Sequence, residues 1–202
     1  MPTEEILVAF EPSRETVPPA THFKTTLLHS SQRALRTRGH FPRYEQLVPK
    51  EARCELLETF TTAWLPIEFA LIHYAACEAL ALPLDEVLAT GRLVSAFTQG
   101  SIASILVRLA EGSGATPWTI LAQSQRLWSR VFAGSAVGIV KMGPKEARCE
   151  IVNNPCAKIP YFRHGCCGIL QSMTSLVSTK AYVRDVPRLC TATMLAFRIA
   201  WV

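Results

Sequence analysis

The sequence predicts an α+β protein, in which a helical layer formed by the first two thirds of the chain packs on a C-terminal antiparallel sheet with strand-strand-helix-strand-strand order. Three observations predict it. Apolar residues recur at helical spacing between Phe23 and Phe132. From Gly134 onward the period shortens to two. Turn signals at Gly143-Pro144 and Asn153-Asn154-Pro155 separate the segments that carry the shorter period.

Taken in order, EILVAF at residues 5–10 reads as a short strand that stands apart, because Pro12, Pro18 and Pro19 follow before any helix can start. Thr21 is placed to cap a helix to about Arg38, with Phe23, Leu27 and Leu28 inward and Gly39 as its stop. Residues 39–48 read as a connector. Pro49 opens a helix carrying Ala52, Leu56, Leu57 and Phe60. Pro66 opens another to about Leu82, striped by Phe69, Ile72, His73, Ala76, Cys77 and Leu80 and ended by Pro83. Asp85 and Glu86 suit the first turn of the next helix, which is expected to run toward Ala110 with a bend at Gly100 and a loop at Gly112 and Gly114. Thr116-Pro117 caps and opens a helix to about Phe132, with Trp118, Leu121, Trp128 and Phe132 on its apolar face.

The remainder reads as a hairpin, a helix and two strands. Val137, Ile139 and Lys141 alternate with Gly138, Val140 and Met142 before the turn into Ala147 to Val152. Pro160 opens a helix to about Leu176, and residues 180–185 and 193–202 read as strands. In the last of these Leu195, Phe197, Ile199 and Trp201 share one face, while Met194, Ala196, Arg198 and Ala200 share the other. The heptapeptide PKEARCE occurs twice, at Pro49 to Glu55 and at Pro144 to Glu150. Its flanks predict a helix for the first copy and a strand for the second.

At 202 residues with 49% hydrophobic and 18% charged residues, one domain with a substantial core is expected. It divides into an N-terminal strand and Pro-rich lead (1–20), a helical part (21–133) and a sheet-plus-helix part (134–202). The net charge of +5 is spread along the chain, and only Arg33 to Arg43 approaches the cation density that phosphate binding needs, so no nucleic-acid partner is expected. Seven scattered cysteines suggest reduced thiols in a cytoplasmic protein. The N-terminus carries acids where a signal peptide needs cations, and Glu68, His73, Glu78, Asp85 and Glu86 interrupt the most apolar region, so no integral membrane association is expected.

Four words, RYEQLVP at Arg43 to Pro49, WLPIEFALIHY at Trp64 to Tyr74, TPWTILAQ at Thr116 to Gln123 and IPYFRHG at Ile159 to Gly165, carry a resemblance to a myxobacterial paralogous family over residues 40–202. None of them is a catalytic motif. The strand-strand-helix-strand-strand ending behind a helical half is similar to the ligand-binding fold of haem nitric-oxide-binding and four-vinyl-reductase-type domains. The haem-binding branch of that resemblance implies a Tyr-x-Ser-x-Arg motif, which none of Tyr44, Tyr74, Tyr161 or Tyr182 begins, so haem is not expected even though His73 on a helix offers an axial ligand.

Two spacings place possible chemistry on helix faces. His73 and Cys77 share one face, and His164 and Cys167 share another. Together they could supply a tetrahedral zinc shell or a Cys-His nucleophile, although buried structural side chains account for them as well and no third group is placed to orient either imidazole. Arg163 and His164 beside Tyr161 open the C-terminal helix, where exposed amides favour an anionic ligand group. The expectation is a non-catalytic small-molecule-binding or sensory module, with an apolar pocket lined by Phe69, Ile72, Trp118 and Trp201 and anchored by Arg163. The alternatives are an interaction module that dimerises through a sheet edge, and a Cys/His enzyme or zinc protein.

Overall fold

In the computed structural model residues 5–59, 62–98 and 115–202 are described. The period-two pattern becomes an antiparallel sheet of β1 (Glu5–Val8), β5 (Ala136–Gly143), β6 (Glu146–Val152), β8 (Leu195–Trp201) and β7 (Ala181–Asp185), in that spatial order. Cys149 stands opposite Ile139 on one side and Phe197 on the other, and Ile151 stands opposite Val137 and Leu195. All six are buried, because alternation sends every second side chain to the face that the helices cover.

The first strand does not stand apart as expected. It pairs with β5, Glu5 opposite Lys141, and the segment after it folds over the outer face of the sheet. There Phe10 takes the space left by Gly138, where a Cβ would lie 2.6 Å from the Phe10 ring. Val17 packs with Ala136 and Val152, and Arg14 reaches Glu150 at 3.3 Å. The prolines interrupt helix formation without preventing this return.

The helices are α1 (Thr25–Thr37), α2 (Phe41–Leu47), α3 (Arg53–Leu57), α4 (Ile67–Glu78), α5 (Leu84–Thr98), α6 (Pro117–Leu121), α7 (Ser124–Trp128) and α8 (Pro160–Ser175). Gly39 ends α1 as expected: at φ +77° its own amide bonds Arg36, and the next amide bonds Leu35. The connector read at residues 39–48 is instead largely α2, held by burial of Tyr44. The first PKEARCE copy is helical, a short 3-10 turn (Lys50–Ala52) leading into α3, and the second is a turn followed by β6.

A second sheet of β3 (Trp64–Pro66), β2 (His22–Lys24) and β4 (Phe132–Ala133), in that spatial order, was not anticipated. It claims residues read as helix ends. The Thr21 hydroxyl donates to the Ala133 carbonyl at 3.4 Å instead of capping α1, which starts four residues later. At the other end, the helix read from Thr116 to Phe132 is capped as expected, the Thr119 amide donating to Thr116 Oγ1 at 3.4 Å, but divides into α6 and α7. Pairing of β4 with β2, with Lys24 donating to Val131 at 2.8 Å, draws the end of that segment into extended backbone. The expected run of α5 toward Ala110, the bend at Gly100, the loop at Gly112 and Gly114, and Phe60 lie outside the described residues.

One side of α8 packs on β7 and β8 and another on α5. The crossing with α5 is close because it is made by glycines: Gly91 rests on the Gly165 carbonyl, and Gly168 on the Leu88 carbonyl. No helix among the described residues is long and apolar enough to cross a membrane.

Candidate functional site

Between these helices and the inner face of the sheet lies an apolar cavity of about 140 Å³. Each wall follows from a stripe at helical spacing. From α8 come Tyr161, Phe162, Gly165, Cys166, Ile169, Leu170 and Met173; from α5, Thr90, Gly91, Val94 and Ser95. Ser124, Leu127 and Trp128 of α7, with Val131 and Phe132 after it, close one end. Leu27 and Ser31 of α1 and Tyr74 of α4 contribute from the helical side, and Val137, Cys149 and Ile151 form the floor on the sheet. The void exists because several positions on these buried stripes hold glycine or serine where a larger side chain would fill the space. A Cβ on Gly165 would meet no atom within 4 Å.

The aromatic wall is continuous with the core. Trp128 stacks on Phe132 with centroids 4.5 Å apart, Phe132 meets Phe162 edge-on at 6.1 Å, and Phe162 packs on Tyr74 at 4.7 Å. Trp128 Nε1 donates to Ser135 Oγ at 3.2 Å, and that hydroxyl donates to the Val152 carbonyl at 2.7 Å.

Among the polar groups, Ser31 Oγ bonds His73 Nε2 at 2.9 Å and Thr90 Oγ1 donates to the Glu86 carbonyl at 2.9 Å. Tyr161 differs. The residue is 6% exposed, and its hydroxyl lies beside the Thr90 hydroxyl and the Cys77 thiol without the geometry of a hydrogen bond to either. Burial raises the Tyr161 pKa far above the ordinary phenol value, so the hydroxyl keeps its proton. Burial also pushes Cys149 up to about 12 and Cys166 well above the usual thiol value. These thiols are inert walls at neutral pH.

The residues singled out in the sequence lie elsewhere. Trp118 and Trp201 close directly on each other, edge to face at 4.7 Å, at the turn end of the sheet where Trp118 Nε1 donates to the Pro144 carbonyl. Contact between them leaves no gap of the kind expected. Phe69 and Ile72 are half-buried residues of α4 packed against the main core, and Arg163 pairs with Asp185 at 3.6 Å. None of the five lines the cavity. His73 and Cys77 are neighbours at 3.8 Å on α4, whereas His164 and Cys167 belong to α8, and no group of three or more His, Cys, Asp or Glu residues among the described residues is placed to hold a metal ion. The anion expected at the N-terminus of α8 is supplied by the chain itself: Glu78 Oε2 accepts from the Tyr161 amide at 2.6 Å. Tyr161, Phe162, Gly165, Cys166 and Ile169 form one stripe of α8 that the sequence analysis did not single out, and nothing in their spacing says that this stripe faces a void.

The arrangement matches known structures. An oxygen-binding H-NOX domain related to soluble guanylate cyclases, solved as its oxygen complex, has a TM-score of 0.59 to this chain at 12% identity, covering 88% of this chain and 94% of that one. The Fe(II) unliganded H-NOX protein from K. algicida has a TM-score of 0.63 at 10% identity, covering 89% and 96%. The fold is H-NOX-like. No protein-family model matches the sequence, and no curated protein matches it.

An H-NOX-like fold raises the question of haem, and the donor set among the described residues does not suit it. All five histidines are among the described residues, and none lines the cavity. His73, the candidate axial ligand, is fully buried and has both ring nitrogens engaged, Nδ1 by the Tyr44 hydroxyl at 2.8 Å and Nε2 by Ser31. The described lining residues include no Lys or Arg to meet propionates.

Proposed function

We propose that this protein is a non-catalytic small-molecule-binding module with a sensory or regulatory role, its ligand held in the cavity between α5, α8 and the sheet. The partly open, aromatic-walled cavity, with no charged residue among its described lining, carries this reading. Protein interiors leave few voids larger than a water molecule, and a cavity of about 140 Å³ leaves its wall atoms short of packing contacts. A ligand that restores those contacts explains why small residues persist on the buried stripes. The H-NOX-like fold, whose solved examples include an oxygen complex, supports the same reading.

The ligand in this reading is smaller than haem and needs no metal. A cavity of about 150 Å³ in another protein accommodates benzene. The alternative of a Cys/His enzyme or zinc protein gains no support: burial raises the Cys77 and Cys167 thiols above the usual value, and no group of three or more His, Cys, Asp or Glu among the described residues is placed to hold a metal ion. Dimerisation through a sheet edge is favoured only by the exposure of Ile6 on β1 and Tyr182 on β7, the two outer strands.

The test is a benzene titration followed by tryptophan fluorescence and thermal unfolding, with Gly165→Leu as the filled-cavity variant. Wild type is expected to bind and gain thermal stability, and the folded variant to do neither. A wild-type protein that no benzene concentration stabilises, and that takes up haem stoichiometrically with a Soret band, sinks the proposal. Sedimentation of a monomer at micromolar concentration removes the sheet-edge alternative.

A further inference from the structure

We propose that the outer face of the five-stranded sheet docks an acidic amphipathic helix of a partner protein, with Arg184 and Arg198 receiving its carboxylates. This site is independent of the cavity, which lies on the opposite face of the same sheet.

The strand register lays one row of side chains across the whole sheet. Ile6 stands opposite Val140, Val140 opposite Arg148, Arg148 opposite Arg198, and Arg198 opposite Arg184. The row points away from the helices, because Ile139, Cys149, Phe197 and Ile199 beside it are the buried residues of these strands. Three arginines are thus neighbours on adjacent strands, and like charges directly opposite each other destabilise a sheet unless carboxylates are brought to them. Glu150 accepts from Arg148 at 2.8 Å and Glu146 from Arg198 at 2.7 Å. Arg198 nevertheless keeps 47% of its side chain exposed, and Arg184 is exposed with no hydrogen bond or ion pair among the described residues.

The rest of the face points to what covers it. Ile6, Met142 and Tyr182 are large apolar side chains left exposed around the arginines, and Met142 Sδ lies 3.6 Å from Arg148 Nη1. Arginine, tyrosine and methionine are enriched where proteins meet. A polyphosphate would carry its charge onto Glu146 and Glu150 and gain nothing from the apolar side chains. A second copy of this face would bring arginines or apolar residues to the row and only glutamates that are already paired. Four inter-strand steps of about 4.8 Å make the face about 20 Å across, the length of one helix of about 14 residues. An apolar stripe on such a helix covers the exposed apolar side chains while the acids beside it reach Arg184 and Arg198.

The probe is a fluorescein-labelled peptide of about 14 residues with leucine and glutamate at amphipathic helical spacing, titrated by fluorescence polarisation against the full chain. The same peptide with lysine for glutamate, oligo-dT and phosphatidylglycerol vesicles are run beside it. Wild type is expected to bind the glutamate peptide alone, and more weakly as salt rises. Arg184→Ala is expected to weaken that binding about 3- to 10-fold and Arg184→Glu by more than about 10-fold, both with the unfolding midpoint of wild type because the side chain is exposed. No binding of the glutamate peptide, binding that Arg184→Glu leaves intact, or equal binding of the lysine peptide overturns the proposal. So does an oligo-dT or vesicle complex lost in Arg184→Glu, which assigns the face to a nucleic acid or a membrane, or a wild-type dimer that Arg184→Glu dissociates, which assigns it to a second copy.

Discussion

The Tyr44 hydroxyl lies 2.8 Å from His73 Nδ1 inside the protein, and the other nitrogen of the same imidazole meets Ser31 Oγ at 2.9 Å. This chain ties α2 to α4 and α4 to α1, and ends on a residue of the cavity wall. A hydroxyl on each side satisfies a neutral imidazole whichever nitrogen carries its proton. The network thus holds three helices in register at no cost in unpaired polar groups, and it fixes His73 as structural.

The pH dependence of stability follows. Burial lowers the His73 pKa from 6.5 to about 3. Below pH 6.5 the unfolded chain takes a proton on this residue that the folded protein refuses until about pH 3, so this contribution to stability is intact above pH 6.5 and is lost as pH falls through that window. Urea unfolding is expected to show wild type losing on the order of 2 kcal/mol more than His73→Gln between about pH 6.5 and pH 4.5. Parallel pH profiles for the two proteins would remove the claim that His73 is buried and neutral.

The α5–α8 crossing makes a prediction of opposite signs at two glycines three residues apart. A Cβ at Gly168 would run into the Leu88 carbonyl, which is backbone and cannot swing aside, whereas a Cβ at Gly165 meets nothing within 4 Å. Gly168→Ala is expected to lower stability by about 1–3 kcal/mol through forced separation of the helices. Gly165→Ala is expected to raise it by up to about 1 kcal/mol, since alanine is the better helix former and its methyl enters free space. Thermal unfolding of both variants decides it.

The same glycines mark what was and was not legible in the sequence. The final strand could be read from Leu195, Phe197, Ile199 and Trp201, because period two survives whatever packs against it. The two PKEARCE copies could be told apart because their flanks carry different periods. By contrast β2, β3 and β4 span two or three residues each, too few for any period, and exist only through pairing partners far apart in the chain. The site failed for a related reason. Large aromatics drew attention to Trp118 and Trp201, which fill each other's space, whereas a void is marked by small residues such as Ser95 and Gly165 on a buried stripe. Which small residue closes up, as at Gly91 and Gly168, and which stays open, as at Gly165, is set by the helix crossing and not by spacing.

Thiol chemistry separates the structural cysteines from an enzyme site. Cys54 is exposed, Cys190 is partly exposed and the other five of the seven cysteines are buried. A native titration with a chromogenic disulfide is expected to show one fast thiol, lost in Cys54→Ser, with full reaction of seven only after denaturation. Fast reaction at Cys77 or Cys167 in the folded protein would restore the nucleophile reading.

Glu78 supplies the last prediction, because it reaches from the end of α4 to the first turn of α8. Its Oε2 accepts from the Tyr161 amide at 2.6 Å, the position where a bound anion was expected from the sequence. Pro160 has no amide to satisfy, so Tyr161 carries the first free N–H of the helix, and a carboxylate there is favoured both by the hydrogen bond and by the helix dipole. Glu78→Ala is expected to cost about 1–2 kcal/mol of stability, and Glu78→Gln less, because the amide oxygen retains the bond without the charge. Urea unfolding of wild type and the two variants checks the order, and a Glu78→Ala protein as stable as wild type would show that the carboxylate does not cap the helix.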